Sequence, residues 1–305
     1  MNKDTEKQIR RLISGEASEL SSSLTNELVA LGLNYQVKGG IVNLAEDIEL
    51  LGYDRILDGI TSDVSLDLHW SIESTNDYLM KAGVARGSTA VCMAEQQIAG
   101  RGRRGKVWIS PFGKNIYMSL GRYFDGGASG LVGLSLVIGS CVVATLRALG
   151  VESVGLKWPN DIILGAGKLG GILVELGKLN KESTFVVMGI GINLELSEES
   201  SRQIDQPWSH IGDDATISRN DLAAGLIESL MTAFYRFEKD GFISFAEEWN
   251  SNNVYKGQEV VILQGEDRIG GIDAGVDHSG NYLLETATGV QVFNAGEVSL
   301  RLNAS

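Results

Sequence analysis

The chain has 305 residues, 43% hydrophobic and 21% charged, with only 3 prolines; this builds one to three packed domains and excludes a disordered tail or a collagen-like fibre. Against 39 Asp and Glu stand 26 Lys and Arg, a net charge of −13. The surface as a whole therefore repels polyanions, and any contact with one must be made by a local basic patch.

The first dozen residues alternate charge without an apolar segment, so no secretory signal is read and a cytoplasmic location is expected. Ile9, Leu12 and Ile13 predict a short helix. Leu20, Leu24, Leu28 and Leu31, spaced by four, four and three, predict a second helix that Gly32 stops. Residues 34–37 and 38–44 then read as a wing-like hairpin, closing a small head over residues 1–60. Its first fifty residues hold five Lys or Arg against eight Asp or Glu. Residues 18–33, which would read DNA in a helix-turn-helix, contain no Lys or Arg, which argues against specific DNA binding.

Over residues 61–255 strands and helices alternate. Ser74-Thr75-Asn76 offers N-cap oxygens before Leu79, Met80 and Ala82, with Gly83 as the stop, so the triplet should begin a helix. Strands are expected at 91–94, 115–120, 156–158, 171–176 and 185–194, and helices at 132–149 and 220–239. The uncharged run 126–146 is long enough to raise a membrane span, but Ser135, Gly139 and Ser140 interrupt it and a buried core helix is expected. Beyond Lys256 five short alternating runs predict a small β-barrel over 256–305. The fold class is therefore α+β, and strand 115–120, which must be paired or covered, suggests a homodimer through sheet edges.

The densest chemical signal is GRGRRGK at 100–106, four cations among three glycines. Glycines let backbone amides approach an anion, and arginines fork onto its oxygens, so an anion-binding loop is expected, mobile until its ligand orders it. KWPND at 157–161 places a lysine, a rigid bend and a carboxylate at a strand end, and GKLGG at 167–171 adds a lysine on a glycine-rich approach to the next strand. GIGIN at 189–193 lacks the third glycine of a dinucleotide fingerprint and sits within a strand; it reads better as a strand kept bare for a close neighbour. Walker, nucleophile-elbow and kinase signatures are missing. Cys92 and Cys141 form no disulfide framework and, with His69, His210 and His278, show no metal-ligand spacing.

Taken in order, Ser74-Thr75-Asn76, EQQIAGRGRRGKVWISP at 95–111, KWPNDI at 157–162, GKLGGILVE at 167–175 and GIGIN resemble the biotin protein ligases, over residue 65 to the C terminus. The resemblance implies a mixed sheet flanked by helices, an SH3-like C-terminal domain and, at the N terminus, a shortened winged helix of the ligase/repressor type. It implies ATP-dependent activation of biotin to biotinoyl-5'-AMP and transfer to a lysine of the biotin carboxyl carrier protein of acetyl-CoA carboxylase. Carried over by position, biotin would meet Ser74, Thr75, Asn76, Gln97, Arg101, Gly102, Arg103, Lys168 and Gly171. ATP would meet Arg101, Arg103, Arg104, Asn193 and Trp208, with Mg2+ arriving alongside it. Catalysis would rest on Arg103, Lys168 and Asp161, with no metal held by protein side chains. A lipoate ligase and a biotin-sensing regulator without turnover stay open as alternatives.

Overall fold

The computed structural model describes residues 3–179, 183–196, 201–212, 217–294 and 298–302; the sequence-based limits at residues 1 and 305 lie outside them. In the head, α1 (Lys3–Ile13) and α2 (Ser22–Ala30) pack on a three-stranded sheet of β1 (Ser18–Glu19), β2 (Tyr35–Lys38) and β3 (Ile41–Leu44), ordered β1-β3-β2. Ile9, Leu12, Leu24, Leu28 and Val42 fill a small core of its own. Leu20 is not part of the second helix as its spacing suggested: Ser21 caps α2 by accepting from the Leu24 amide, which leaves Leu20 outside and 48% exposed.

The central region is a seven-stranded mixed sheet in the order β4-β5-β6-β10-β9-β8-β7. Its strands are β4 (Ser65–His69), β5 (Thr89–Ala94), β6 (Ile116–Asp125), β7 (Val154–Lys157), β8 (Asp161–Leu164), β9 (Gly167–Leu179) and β10 (Ser183–Ile192). Only β4 and β5 are parallel. Strand alternation divides the residues between two cores. Val91, Met93, Met118, Leu120, Val186 and Met188 face α5 (Leu134–Ala148) and α6 (Arg219–Asp240), while Cys92, Phe185 and Val187 join Leu79 of α4 (Thr75–Ala82) on the opposite face. The stretch Ala128–Ala148 is apolar and long enough to cross a membrane by composition alone, yet 61% of its apolar 18-residue window is buried within this fold. It is hydrophobic nearly all round because the sheet and α6 cover it on both sides.

Several short elements were not foreseen, β1 and β4 among them. α3 (Tyr53–Asp58) buries only Ile56, α7 (Ala246–Asn252) buries only Ala246 and Trp249, and β8 lies in what read as a turn. None is long enough to show a period. Strand 115–120 does not offer the open edge expected for a homodimer: β6 lies inside the sheet with β5 on one side and β10 on the other. The outer strands are β4 and β7, and the Val254 amide already donates to the Leu156 carbonyl of β7 at 3.0 Å.

The C-terminal sheet comprises β11 (Glu259–Gln264), β12 (Asp267–Val276), β13 (Tyr282–Thr286), β14 (Gly289–Phe293) and β15 (Val298–Leu302), all antiparallel, ordered β14-β13-β12-β11-β15. Among the described residues β14 and β15 form no ladder, so the sheet stays open where full closure was expected. Val260, Tyr282 and Leu284 belong to the central core, which fastens this sheet to the rest.

Candidate active site

A cavity of about 580 Å³ opens on the α4 face of the large sheet, and every residue the resemblance assigned to biotin, ATP or catalysis lines it. Its floor follows from cross-strand register: Asp161 pairs with Gly171, Gly171 with Gly191, and Gly191 with Tyr117, a row across β8, β9, β10 and β6. The bare positions are needed there. A Cβ on Gly191 would stand 2.6 Å from the Trp108 indole, and one on Gly189 would stand 2.3 Å from Asn76 Oδ1. The close neighbours of the GIGIN strand are thus two side chains of the site itself.

At one end the cavity is neutral. Ser74 caps α4 by accepting from the Asp77 amide at 3.4 Å, which brings Thr75 and Asn76 to the wall. The Thr75 amide and hydroxyl both donate to Gln97 Oε1, at 2.9 and 3.1 Å, and Gln97 Nε2 donates to Ser110 Oγ at 3.2 Å. The Ser119 hydroxyl lies 2.7 Å from Thr75 Oγ1 and 2.5 Å from Asn76 Oδ1. Apart from the half-buried Gln97 these groups are buried, so their hydrogen bonds fix where their remaining donors and acceptors point. The buried indole N–H of Trp108 has no partner among the described residues and fits an acceptor on a ligand.

The other end is cationic. Lys168 Nζ lies 2.5 Å and Lys157 Nζ 3.5 Å from the two oxygens of Asp161, so one carboxylate serves two ammonium groups. Arg103 donates to Asn160 Oδ1 at 3.0 Å from the loop above. Burial pushes the Lys157 ammonium below its ordinary pKa despite Asp161, with Arg301 and Lys168 adding to the shift. Burial does the same to Arg103, against the pull of Asp161. A desolvated cluster with surplus positive charge favours an anion.

The loop carrying Arg101, Gly102, Arg103 and Arg104 is folded back as a hairpin. Gly102 N donates to Lys106 O at 2.7 Å, Trp108 N donates to Gly100 O at 2.8 Å, and Arg104 adopts the left-handed region at φ 59°. Arg101 points to carboxylates, donating to both oxygens of Glu175 at 3.0 Å and to Asp77 Oδ1 at 2.5 Å. Asn193 Nδ2 donates to the Ser209 carbonyl at 3.2 Å, while Trp208 bridges in parallel to Lys168, which sets the indole on the cavity rim. Trp158 of the KWPND turn is buried and donates to the Gly280 carbonyl at 3.3 Å, tying the turn to the C-terminal sheet.

Sequence reasoning missed three parts of the site. Ser119, which supports Thr75 and Asn76 from behind the wall, carried no motif signal; Trp108 lay inside a quoted run without a role; Arg301 reaches the cavity from the C-terminal sheet, which no spacing within the central region could reveal. Among the described residues no group of three His, Cys, Asp or Glu could hold a metal ion.

Residues 70–193 match the model of the biotin/lipoate A/B protein ligase family, and residues 256–301 that of the biotin protein ligase C-terminal domain. A bifunctional ligase/repressor BirA of Salmonella typhimurium is 39% identical over 269 residues, covering 88% of this chain and 83% of that protein. A biotin-[acetyl-CoA-carboxylase] ligase of Mycobacterium tuberculosis is 32% identical, covering 76% of this chain and 88% of its own length. The solved structure of the biotin protein ligase from Aquifex aeolicus in complex with biotin and ATP superposes with a TM-score of 0.67 at 28% identity, covering 78% of this chain and 99% of that one.

Proposed function

The chain belongs to the biotin protein ligase family, and from that premise we infer that this cavity is where biotin is activated and handed on. Biotin's carboxylate oxygen attacks the α-phosphorus of ATP and pyrophosphate leaves. The biotinoyl-5'-AMP is then attacked at its acyl carbon by a lysine amine of the biotin carboxyl carrier protein of acetyl-CoA carboxylase, and AMP leaves. The observation that best supports this is the division of the cavity into a neutral, hydrogen-bonded end and a cationic end.

Biotin's ureido ring is uncharged and suits Ser74, Thr75, Asn76 and Gln97. The first step joins two anions, and Lys168 and Arg103 are assigned to offset their repulsion and the charge growing on the α-phosphate. Gly102 and Gly171 keep the backbone close to the acyl chain, while Arg104, Asn193 and Trp208 are assigned to the nucleotide, the indole stacking on adenine. Mg2+ enters with ATP as part of the substrate, its oxygen ligands coming chiefly from the phosphates. In the second step the acceptor amine, with an ordinary pKa of about 10.4, must lose its proton before attack. Asp161 is assigned to hold Lys168 and to orient that amine.

The relatives named ligase/repressor leave the head to be considered. Its α2 exposes Ser22, Ser23, Asn26, Val29 and Ala30 and contains no Lys or Arg, so we assign this chain ligase chemistry without operator recognition; a salt-dependent footprint on a palindromic site would overturn that. The location proposed is the cytoplasm, with the carrier. If two copies pair through a sheet edge, β4 is the edge to test.

The deciding experiment is ATP-dependent transfer to a purified carrier domain, with pyrophosphate release followed and lipoate run in parallel. Biotin transfer is expected. Lipoate transfer instead would move the chain to the other branch of its family, and ligand binding without pyrophosphate release would make it a sensor.

A further inference from the structure

Ser119 lies on β6 inside the large sheet, paired with Cys92 of β5 and Gly189 of β10, and its side chain is fully buried. Its hydroxyl is 2.5 Å from Asn76 Oδ1 and 2.7 Å from Thr75 Oγ1, the two residues it holds from behind the cavity wall. We propose that Ser119 is a positioning residue that fixes the direction of the Thr75 hydroxyl proton, so that Thr75 presents a lone pair to the ligand and selects a ring N–H of the ureido group. The proposal rests on the assignment of this end of the cavity to biotin.

The direction follows from counting donors, starting at Asn76. Its Nδ2 donates to Glu175 Oε2 at 2.8 Å and to the Leu173 carbonyl at 3.3 Å, and a carboxylate and a carbonyl can only accept. The amide is therefore fixed, with Oδ1 turned the other way. That oxygen is buried over Gly189, where a Cβ would stand 2.3 Å from it, and among the described residues Ser119 is the donor that reaches it. A buried amide oxygen without a donor is costly, so the single Ser119 proton goes to Asn76.

With that proton committed, Ser119 Oγ has only lone pairs left for Thr75. The 2.7 Å contact then holds if Thr75 donates along it, in competition with Gln97 Oε1 at 3.1 Å, which also takes the Thr75 amide at 2.9 Å. On either branch the Thr75 proton lies within the wall. What Thr75 Oγ1 keeps for the cavity it lines is an acceptor. A cyclic urea carries an N–H on each side of its carbonyl. A cyclic carbamate of the same shape carries a ring oxygen in place of one of them, and a fixed lone pair repels that oxygen. The oriented hydroxyl thus separates two rings of equal size by the sense of one hydrogen bond.

The test compares biotin with its two cyclic-carbamate isomers, each with one ureido N–H replaced by oxygen, in calorimetric binding to the full chain. The wild-type chain should prefer biotin over one isomer by about a hundredfold, the scale of a buried acceptor left without its donor. In Ser119→Ala the Thr75 hydroxyl loses the nearer of its two acceptors and can turn to the ring oxygen, so the preference should narrow about tenfold. Thr75→Val has no hydroxyl to turn; it should narrow the preference at least as far, and adding Ser119→Ala should change it no further. Ser119→Cys, measured under reducing conditions because Cys92 is its cross-strand neighbour, offers a weaker hydrogen-bond partner of similar size. It should fall between wild type and Ser119→Ala, and it carries the comparison if the alanine variant does not fold. A preference unchanged in the Ser119 variants, or narrowed equally by Ser119→Ala with and without the Thr75 hydroxyl, would overturn the proposal. So would equal binding of biotin and both isomers by the wild-type chain. No biotin binding by the wild-type chain would remove the cavity assignment and the proposal with it, whereas biotin binding with an unchanged preference removes the proposal alone.

Discussion

Lys114 and Lys157 are the same residue type, both largely buried, and the fold treats them in opposite ways. Burial works against the ammonium in each. At Lys114, where the head meets the central sheet, Glu195 and Glu46 outweigh it and the pKa is raised; at Lys157 it outweighs Asp161 and the pKa is lowered. The rest of the head junction is equally well matched. Arg219 meets Glu95 at 2.6 Å and the Asn115 carbonyl at 2.9 Å. Burial likewise disfavours the Glu49 carboxylate, yet hydrogen bonds from Asn220, Ser218 and the Arg219 amide hold it below the usual range. In the cavity Lys157 and Lys168 share one carboxylate beneath an arginine-rich loop. The sign of the charge imbalance, rather than the number of ion pairs, separates scaffold from site here.

That contrast breaks most directly at Lys168. Replacing it with glutamine should lower the rate of adenylate formation by about two to three orders of magnitude, the effect of removing one donor aimed at developing charge. The melting temperature should hardly move, because Asp161 keeps Lys157. If Lys168→Gln unfolds the chain with its chemistry per folded molecule intact, the cluster is scaffold after all. Lys114→Met should do the reverse. It leaves Glu46 and Glu195 facing each other without their cation, at a cost of about 2 kcal/mol in urea unfolding, with kcat of the folded fraction within about twofold of wild type. A smaller effect is expected from Gly191→Ala, whose Cβ would stand 2.6 Å from the Trp108 indole. Displacing that ring should weaken biotin binding about tenfold by calorimetry, since a site misplaced by a fraction of an ångström loses its hydrogen bonds.

How much of this the sequence disclosed depended on how local the cause was. The capped triplet at Ser74, the glycine-rich loop and the long amphipathic α6 each have their determinants within a few residues, and all stand where their patterns put them. The convergence of the site's residues came from motif resemblance, because nothing in the spacing of Gln97, Lys168 and Asn193 says that β5, β9 and β10 bring them together. What stayed hidden was set by partners distant in the chain. Glu175 holds Arg101 across 74 residues, Ser119 supports Asn76 across 43, and Trp158 binds Gly280 across 122. The error over strand 115–120 has the same origin: its apolar pattern shows that it is buried but not which strands flank it.

The smallest expected effect lies at the C-terminal sheet, where Asp273 resembles Lys157 in being a buried charge poorly matched. Burial raises its pKa, although Tyr282, the Gly275 amide and Asn253 pull the other way. The native state thus binds this proton more tightly than the unfolded chain does. The associated stability is fully present below the ordinary aspartate value of about 3.9 and is lost as pH rises through the raised value. Asp273→Asn keeps an oxygen for the Gly275 amide at 2.8 Å and for Asn253 Nδ2 at 2.9 Å, and carries no charge at any pH. Its stability relative to wild type should therefore climb between about pH 4 and pH 7, by up to about 1 kcal/mol, in thermal unfolding at stepped pH. A flat difference would mean that the carboxylate is as well served as those around Lys114. Tyr282 also packs on Trp158 with ring centroids 5.1 Å apart, and Trp158 leads into Asp161. A gain in stability accompanied by slower transfer to the carrier would show that this buried charge holds the KWPND turn for chemistry, as the surplus cations of the cavity do.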